Sequence, residues 1–225
     1  MLVERSINKQ MVKNNPMDIS QPLSLLITEV CARAEQLLAS DVKIAQYRFG
    51  FYRIPFSSNN SEEGLALQIW LRELPSEQFP HRHNFRLRSR LLKGSLTRHL
   101  WEVKTDLNGS HRTIGSVRDE STWRDIEVSE RVSVRCTESK KFKAGDIYEI
   151  PFAQIHSTTI NSFPTVTIVD KRGFREDAPP VHYAPLESKR TTDIESTLFE
   201  SDDNETARKA IVSVLKELSP AAHLI

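Results

Sequence analysis

The chain has 225 residues, with 31 Lys+Arg against 30 Asp+Glu and a formal net charge of +1, which excludes a protein that works mainly by gripping nucleic-acid phosphates or anionic lipid through its net field. A hydrophobic share of 38% and a charged share of 27% suit one ordered core with polar extensions, not wholesale disorder. Only 7 glycines occur, and they are scattered; with neither G-x-x-x-x-G-K-[ST] nor G-x-G-x-x-G present, a phosphate-cradling loop is not expected.

The opening MLVERSINKQMVKNNP lacks the apolar centre of a signal peptide, and no run approaches the ~20 apolar residues that span a bilayer, so a cytoplasmic protein is expected. Residues 18–38 read as a helix: Ser20 can cap it and Pro22 sits in the first turn. Leu23, Leu26, Ile27, Val30, Ala34, Leu37 and Leu38 recur at helical spacing. This makes residues 1–41 an N-terminal extension whose apolar stripe lies on a larger body.

From residue 42 the period changes to two. Leu65, Leu67, Ile69 and Leu71 alternate with more polar neighbours, and the alternation returns in 96–103, 126–134, 147–150 and 165–169. Breaks fall at Ser57-Ser58-Asn59-Asn60, Lys93-Gly94, Asn108-Gly109, Ala144-Gly145-Asp146 and Arg172-Gly173. Asn108-Gly109 is the strongest hairpin signal, since a type I′ turn needs positive φ at both central positions. Many short strands without intervening helices predict a mainly β domain over 42–178, a sandwich or barrel. Residues 179–225 read as a polar connection followed by a helix over 202–218, with Ala207, Ala210, Ile211, Val214, Leu215 and Leu218 on its apolar stripe. Cys31 and Cys136 have no C-x-x-C spacing and read as small buried apolar residues.

The chemistry-bearing signal is histidine. In His81-Arg82-His83, residues two apart on a strand share a face, so two imidazoles stand side by side, half of a site for zinc, iron, copper or nickel. A second stretch, Gly145-Asp-Ile-Tyr-Glu-Ile-Pro151-Phe-Ala-Gln-Ile-His156, brackets a strand with Gly and Pro and opens the next strand on a histidine. Together with Pro80-His81-Arg82-His83 and Gly94, this resembles the two signature motifs of the cupin superfamily: H-x-H followed by a Glu and later a Gly, then G-x5-P-x-G-x2-H. Gly145, Pro151 and His156 match the second motif, with Ala153 where the family has its Gly. The resemblance covers about residues 65–170. It implies a jelly-roll β-barrel with flanking helices and one divalent metal ion in its mouth, on His81, His83 and His156. The family's glutamate ligand falls on Leu87 or Arg88, neither of which coordinates a cation, and the Gly before the first histidine is replaced by Pro75. The remaining three-histidine set resembles that of thiol dioxygenases and β-diketone-cleaving dioxygenases, where Fe(II) is held by three neutral imidazoles.

Strand parity orders the surroundings. Phe85, Leu87, Ser89 and Leu91 share the face of His81 and His83, while Arg86, Arg88 and Arg90 point out. The arginines form a solvated face, or are covered by an acidic segment such as Glu200–Glu205, or a bulge turns Arg88 inward to clamp a substrate carboxylate. His99 is a fourth ligand, a base beside the metal, or a hydrogen-bonded residue at the barrel edge. Tyr148 offers a phenol near the site or packs across strands. These two are the catalytic candidates. His111, His182 and His223 read as solvated turn, loop and tail residues.

The resemblance implies a mononuclear Fe(II)-dependent dioxygenase acting with O2 on a small polar organic substrate, thiols among the candidates, and a homodimer with no nucleic-acid or membrane partner. Two alternatives stand beside it: a non-catalytic cupin that binds a small ligand or a partner protein, and a Zn or Ni cupin with hydrolase or isomerase chemistry.

Overall fold

A computed structural model of the chain describes residues 17–39, 44–47, 49–56, 63–72, 74, 79–119, 122–188, 197–198 and 201–219. The expected turn at 57–60, Pro75, Glu200 and His223 lie outside these residues. In chain order the elements are α1 (Leu23–Leu38), β1 (Ala45–Tyr47), β2 (Phe51–Pro55), β3 (Gly64–Trp70), β4 (His81–Arg82), β5 (Arg86–Lys93), β6 (Ser95–Thr105), β7 (His111–Asp119), β8 (Thr122–Lys143), β9 (Ile147–Ile150), β10 (His156–Ile160), β11 (Thr165–Arg172), β12 (Val181–Pro185), β13 (Thr197–Leu198) and α2 (Ser201–Leu218). The fold is mainly β, with one helix on each side of the strands in sequence. No helix among the described residues is long and apolar enough to cross a membrane.

The strands form a seven-stranded sheet in the order β13-β1-β2-β3-β11-β5-β9 and a closed six-stranded barrel in the order β10-β4-β12-β7-β8-β6. The larger sheet is buried on both faces: residues 66–70 of β3 and 165–169 of β11 are buried at every position, whichever way the side chain points. On one face Ile54, Leu67, Ile69, Leu92, Val166 and Ile168 pack under Leu26, Val30 and Ala34 of α1 and Ala207, Ile211, Val214, Leu215 and Leu218 of α2. On the other, Ala66, Leu87, Leu91 and Val169 join Phe85, Leu96, Phe142, Tyr148 and Ile150 in a second cluster. The two helices are thus the outer layer that an apolar sheet face requires.

Helix α1 starts at Leu23, not near Ser20. Pro22, with φ −50° and ψ 137°, is the N-cap residue, and no side chain caps the helix. Ser20 sits in the turn before it, where its backbone N–H donates to Asp18 Oδ1 at 2.8 Å and its hydroxyl accepts from Arg88 Nη2 at 2.9 Å. That preceding segment, rather than the acidic stretch near the C-terminal helix, covers the arginine face of β5. Arg90 is buried and donates to the carbonyls of Ile19 (3.0 Å), Gln21 and Gly145 (3.3 Å), so only Arg86 of the three is exposed. Glu205 of the acidic stretch pairs with Lys209 along its own helix.

The Asn108-Gly109 turn makes no hairpin. It joins β6 to β7, and these two strands lie on opposite sides of β8, which pairs with both. The 22-residue β8 passes from one partner to the other at Val132, which faces Thr105 and His111 alike. A Cβ on residue 109 would meet the carbonyl carbon and oxygen of Val132 at 2.3 Å, so glycine is needed there for close backbone approach. Two further readings change. Residues 181–185, read as polar connection, are the barrel strand β12. Cys31 is buried but Cys136 is exposed.

Candidate metal centre

Strand register assembles the site. On the barrel sheet His182 of β12 lies opposite His81 of β4, and His81 lies opposite His156 of β10. Directly opposed residues of antiparallel strands project to one face about 5 Å apart, so these three imidazoles form one cross-strand row. The ring centroids of His81 and His156 are 4.4 Å apart, and those of His81 and His182 5.6 Å. His83 follows His81 by the strand period and brings its ring to 4.8 Å from His81 and 5.0 Å from His156. One nitrogen from each of His81, His83 and His156 falls within 4.8 Å of the others, and among the described residues this is the group of three or more His, Cys, Asp or Glu side chains able to hold a metal ion.

The donor set suits one divalent metal. His81 Nδ1 lies 2.9 Å from the carbonyl oxygen of Phe79 and His156 Nδ1 3.2 Å from that of Gln154. A carbonyl only accepts, so each Nδ1 carries the proton and donates it, leaving Nε2 as the lone-pair nitrogen; this is the arrangement that fixes tautomer and ring orientation in metal-binding histidines. Desolvation, reinforced by the neighbouring imidazoles, holds His83 and His156 well below the usual 6.5. Both rings are therefore neutral, as ligation requires.

The Gly145 to His156 stretch positions the third ring. Gly145 turns the chain at φ 96° and Ala153 adopts φ 62°, the left-handed region in which a side chain is strained. That conformation accounts physically for the glycine of the cupin pattern at this place. Leu87, at one of the two positions for the family's glutamate, is buried facing the interior, whereas Arg88 points out, with its Nε 3.2 Å from Glu149 Oε1.

His99 stands apart from the group. It lies opposite Ser157, one residue out of phase with His156, and so projects to the other face. There its Nδ1 is 2.7 Å from Ser139 Oγ and its Nε2 3.0 Å from Thr159 Oγ1. Tyr148 is buried in the second apolar cluster against Phe142, with ring centroids 4.8 Å apart; burial raises its phenol above 10, partly offset by the facing Ser89 and the charge of Arg98. His111 is half-buried at the start of β7 beside Ser110.

One residue read as solvated and one not singled out stand beside the histidine group. His182 is buried, not solvated, and Phe49 lies against both His81 (4.7 Å) and His182 (5.7 Å). The alternation in Val181-His-Tyr-Ala-Pro185 was the available signal, masked by the Pro179-Pro180 that precedes it. Below the ligand group, His83 stacks on Phe85 at 4.6 Å, and Lys171 Nζ lies 4.6 Å from the Phe85 centroid.

No protein-family model and no curated protein matches the chain. Solved structures do. An RmlC-like cupin from Shewanella frigidimarina is 15% identical, over 61% of this chain and 88% of that one, with a TM-score of 0.34. Hydroquinone 1,2-dioxygenase from a Sphingomonas species is 11% identical, over 66% and 73%, also at 0.34. The Drosophila melanogaster CENP-C cupin domain is 11% identical, over 62% and 79%, at 0.32. The closed barrel with its flanking helices and the three-histidine group carried on its strands make this a cupin-like fold. What such a barrel does is decided by the site it carries.

Proposed function

We propose that the chain is a mononuclear metalloenzyme in which His81, His83 and His156 hold one Fe(II) ion and a small polar organic molecule is oxidised by O2. The observation that carries this reading is the donor set itself: three imidazole nitrogens within 4.8 Å of one another, with no carboxylate among them. Three neutral ligands leave a divalent ion its full charge and leave coordination positions open. When bound, such an ion supplies a place for substrate and oxygen and the electrons that activate oxygen. A dioxygenase transfers both atoms of O2 into its substrate, which is the reductant, so the reaction needs no further electron donor.

The chain's own part is geometric and electrostatic. The carbonyls of Phe79 and Gln154 hold two of the rings in place, and Phe49 and Phe85 wall the group with apolar surface that keeps water from the reacting atoms. Metal analysis of protein purified without chelator, followed by oxygen-electrode assays with small thiols, diketones and amino acids, tests the reading. Near-stoichiometric iron that is lost in His81→Ala, with oxygen uptake on one of these substrates, is the expected result. Failure to hold any divalent metal under any loading condition overturns it. Zinc or nickel bound without oxygen uptake overturns the oxidative part and leaves hydrolase or isomerase chemistry.

A further inference from the structure

His99 lies on the face of the barrel sheet opposite to the three converging histidines, in a row with two hydroxyls. Its Nδ1 is 2.7 Å from Ser139 Oγ on β8 and its Nε2 3.0 Å from Thr159 Oγ1 on β10. A neutral imidazole has one donor and one acceptor nitrogen. With the proton on Nε2, that N–H donates to Thr159 Oγ1, and the Nδ1 lone pair accepts from the Ser139 hydroxyl. Three neighbouring strands thus bring together a nucleophile, a base and the group that orients the base, as acyl transfer requires. Ser139 and Thr159 are exposed and His99 is half-buried, so the serine hydroxyl is open to a substrate.

The surroundings suit that chemistry. Leu100 lies opposite Glu138 but Trp101 lies opposite Cys136, which leaves Thr137 unmatched on β8 as a bulge. An extra residue of this kind bends its strand and re-aims the side chains beside it. Cys136 Sγ is 3.4 Å from Ser139 Oγ, but its thiol donates to the carbonyl of Glu138 at 3.4 Å, so the imidazole serves the serine and not the cysteine. Trp101 follows His99 by the strand period, with ring centroids 6.3 Å apart. Its Nε1 donates to Ser157 Oγ at 3.0 Å, which fixes the indole as a flat apolar wall. On the other side Lys141 follows Ser139 by the same period and is exposed. Its ammonium lies on the face where negative charge develops on an ester oxygen.

We propose that Ser139, His99 and Thr159 form a second site, independent of the metal reading, that hydrolyses small aryl esters. Ser139 Oγ bonds to the ester carbonyl carbon while its proton passes to His99 Nδ1; the bond to the leaving phenolic oxygen breaks, and the phenol takes that proton. Water then adds to the acyl-serine, gives a proton to His99 and releases the carboxylic acid, and His99 returns the proton to Ser139 Oγ. No oxidant or reductant enters. Thr159 is a positioning residue that holds the ring in the accepting tautomer. The test uses the full chain, with and without chelator, p-nitrophenyl acetate as substrate and a fluorophosphonate as covalent probe. Hydrolysis above the buffer rate is expected, equal in both conditions, with the probe mapped to Ser139 by peptide mass spectrometry. Ser139→Ala and His99→Gln each lower the rate roughly a hundredfold or to the buffer rate, the share of a nucleophile and its base. Thr159→Val lowers it about tenfold, the worth of one orienting hydrogen bond, and Thr159→Ser restores it. Cys136→Ala leaves it unchanged, and melting curves matching the parent show that each variant is folded. No hydrolysis above the buffer rate, a rate that survives Ser139→Ala, or a rate lost on chelation or in Cys136→Ala overturns the proposal.

Discussion

Beneath the two helices, Leu26, Ile54, Leu67, Ile69, Ile168, Ile211 and Leu215 meet with no charged side chain among them, while at the mouth of the barrel His81, His156 and His182 are withdrawn from water and His83 is half withdrawn. Both regions are closely packed, yet only the first lowers the free energy of folding through what it buries. Apolar burial contributes about 25 cal/mol per Å², whereas an imidazole kept neutral out of water gives up hydration and its proton at low pH. The contrast teaches where this chain gives up stability for chemistry: a helix-backed sheet holds the fold, and the barrel strands carry a histidine group that could hold a cation.

The largest test of that contrast is His156→Leu. It should abolish stoichiometric metal binding, seen by metal analysis, while the metal-free variant melts no lower than the metal-free parent. A sharp fall in its melting temperature would place the histidines in the structural core instead. Next comes Ile211→Ala, which deletes fully buried side-chain volume between α2 and the sheet. A loss of about 2–5 kcal/mol in denaturant unfolding is expected, with metal stoichiometry of the folded fraction intact.

Acid separates the two regions again. His83 and His156 have folded-state values below the 6.5 of the unfolded chain, so below pH 6.5 the unfolded state binds the extra protons. Stability is fully present above that pH and is lost as pH falls toward the folded values, by about 1.4 kcal/mol per pH unit for each such histidine. Urea midpoints at pH 7.5, 6.5 and 5.5 measure this, and the slope should shrink in a variant with both rings replaced by leucine, leaving the part owed to His111, whose value burial also lowers. The smallest effect is Ala153→Gly. Relief of the left-handed strain should raise stability by about 0.5–1 kcal/mol, net of the flexibility that glycine adds to the unfolded chain; an unchanged or lower midpoint contradicts it.

Local pattern carried much of this. The period-two alternation gave Ile147–Ile150 its bounds, the apolar stripes located both helices, and H-x-H with the Gly145, Pro151 and His156 spacing picked out the three rings that meet. Each of these depends on contacts between near neighbours or on a motif with fixed backbone geometry. The misplaced features depend on long-range pairing. Asn108-Gly109 has the chemistry of a tight hairpin, but β8 runs between its two strands, and the glycine serves close approach to Val132. Arg90 looked solvent-facing by parity, and parity was correct; the segment at 19–21 then folded over it.

By itself, then, the amino-acid sequence determined the alternation that makes strands, the stripes that make helices, and a histidine pattern suited to a divalent cation, because these follow from side-chain period and donor chemistry. Only the tertiary structure decided which strands are neighbours. That choice set His182 beside His81, turned His99 to the opposite face, and put Lys171 across from Leu87. Register between strands distant in sequence is fixed by the packing of whole faces, and no local run of residues contains that information.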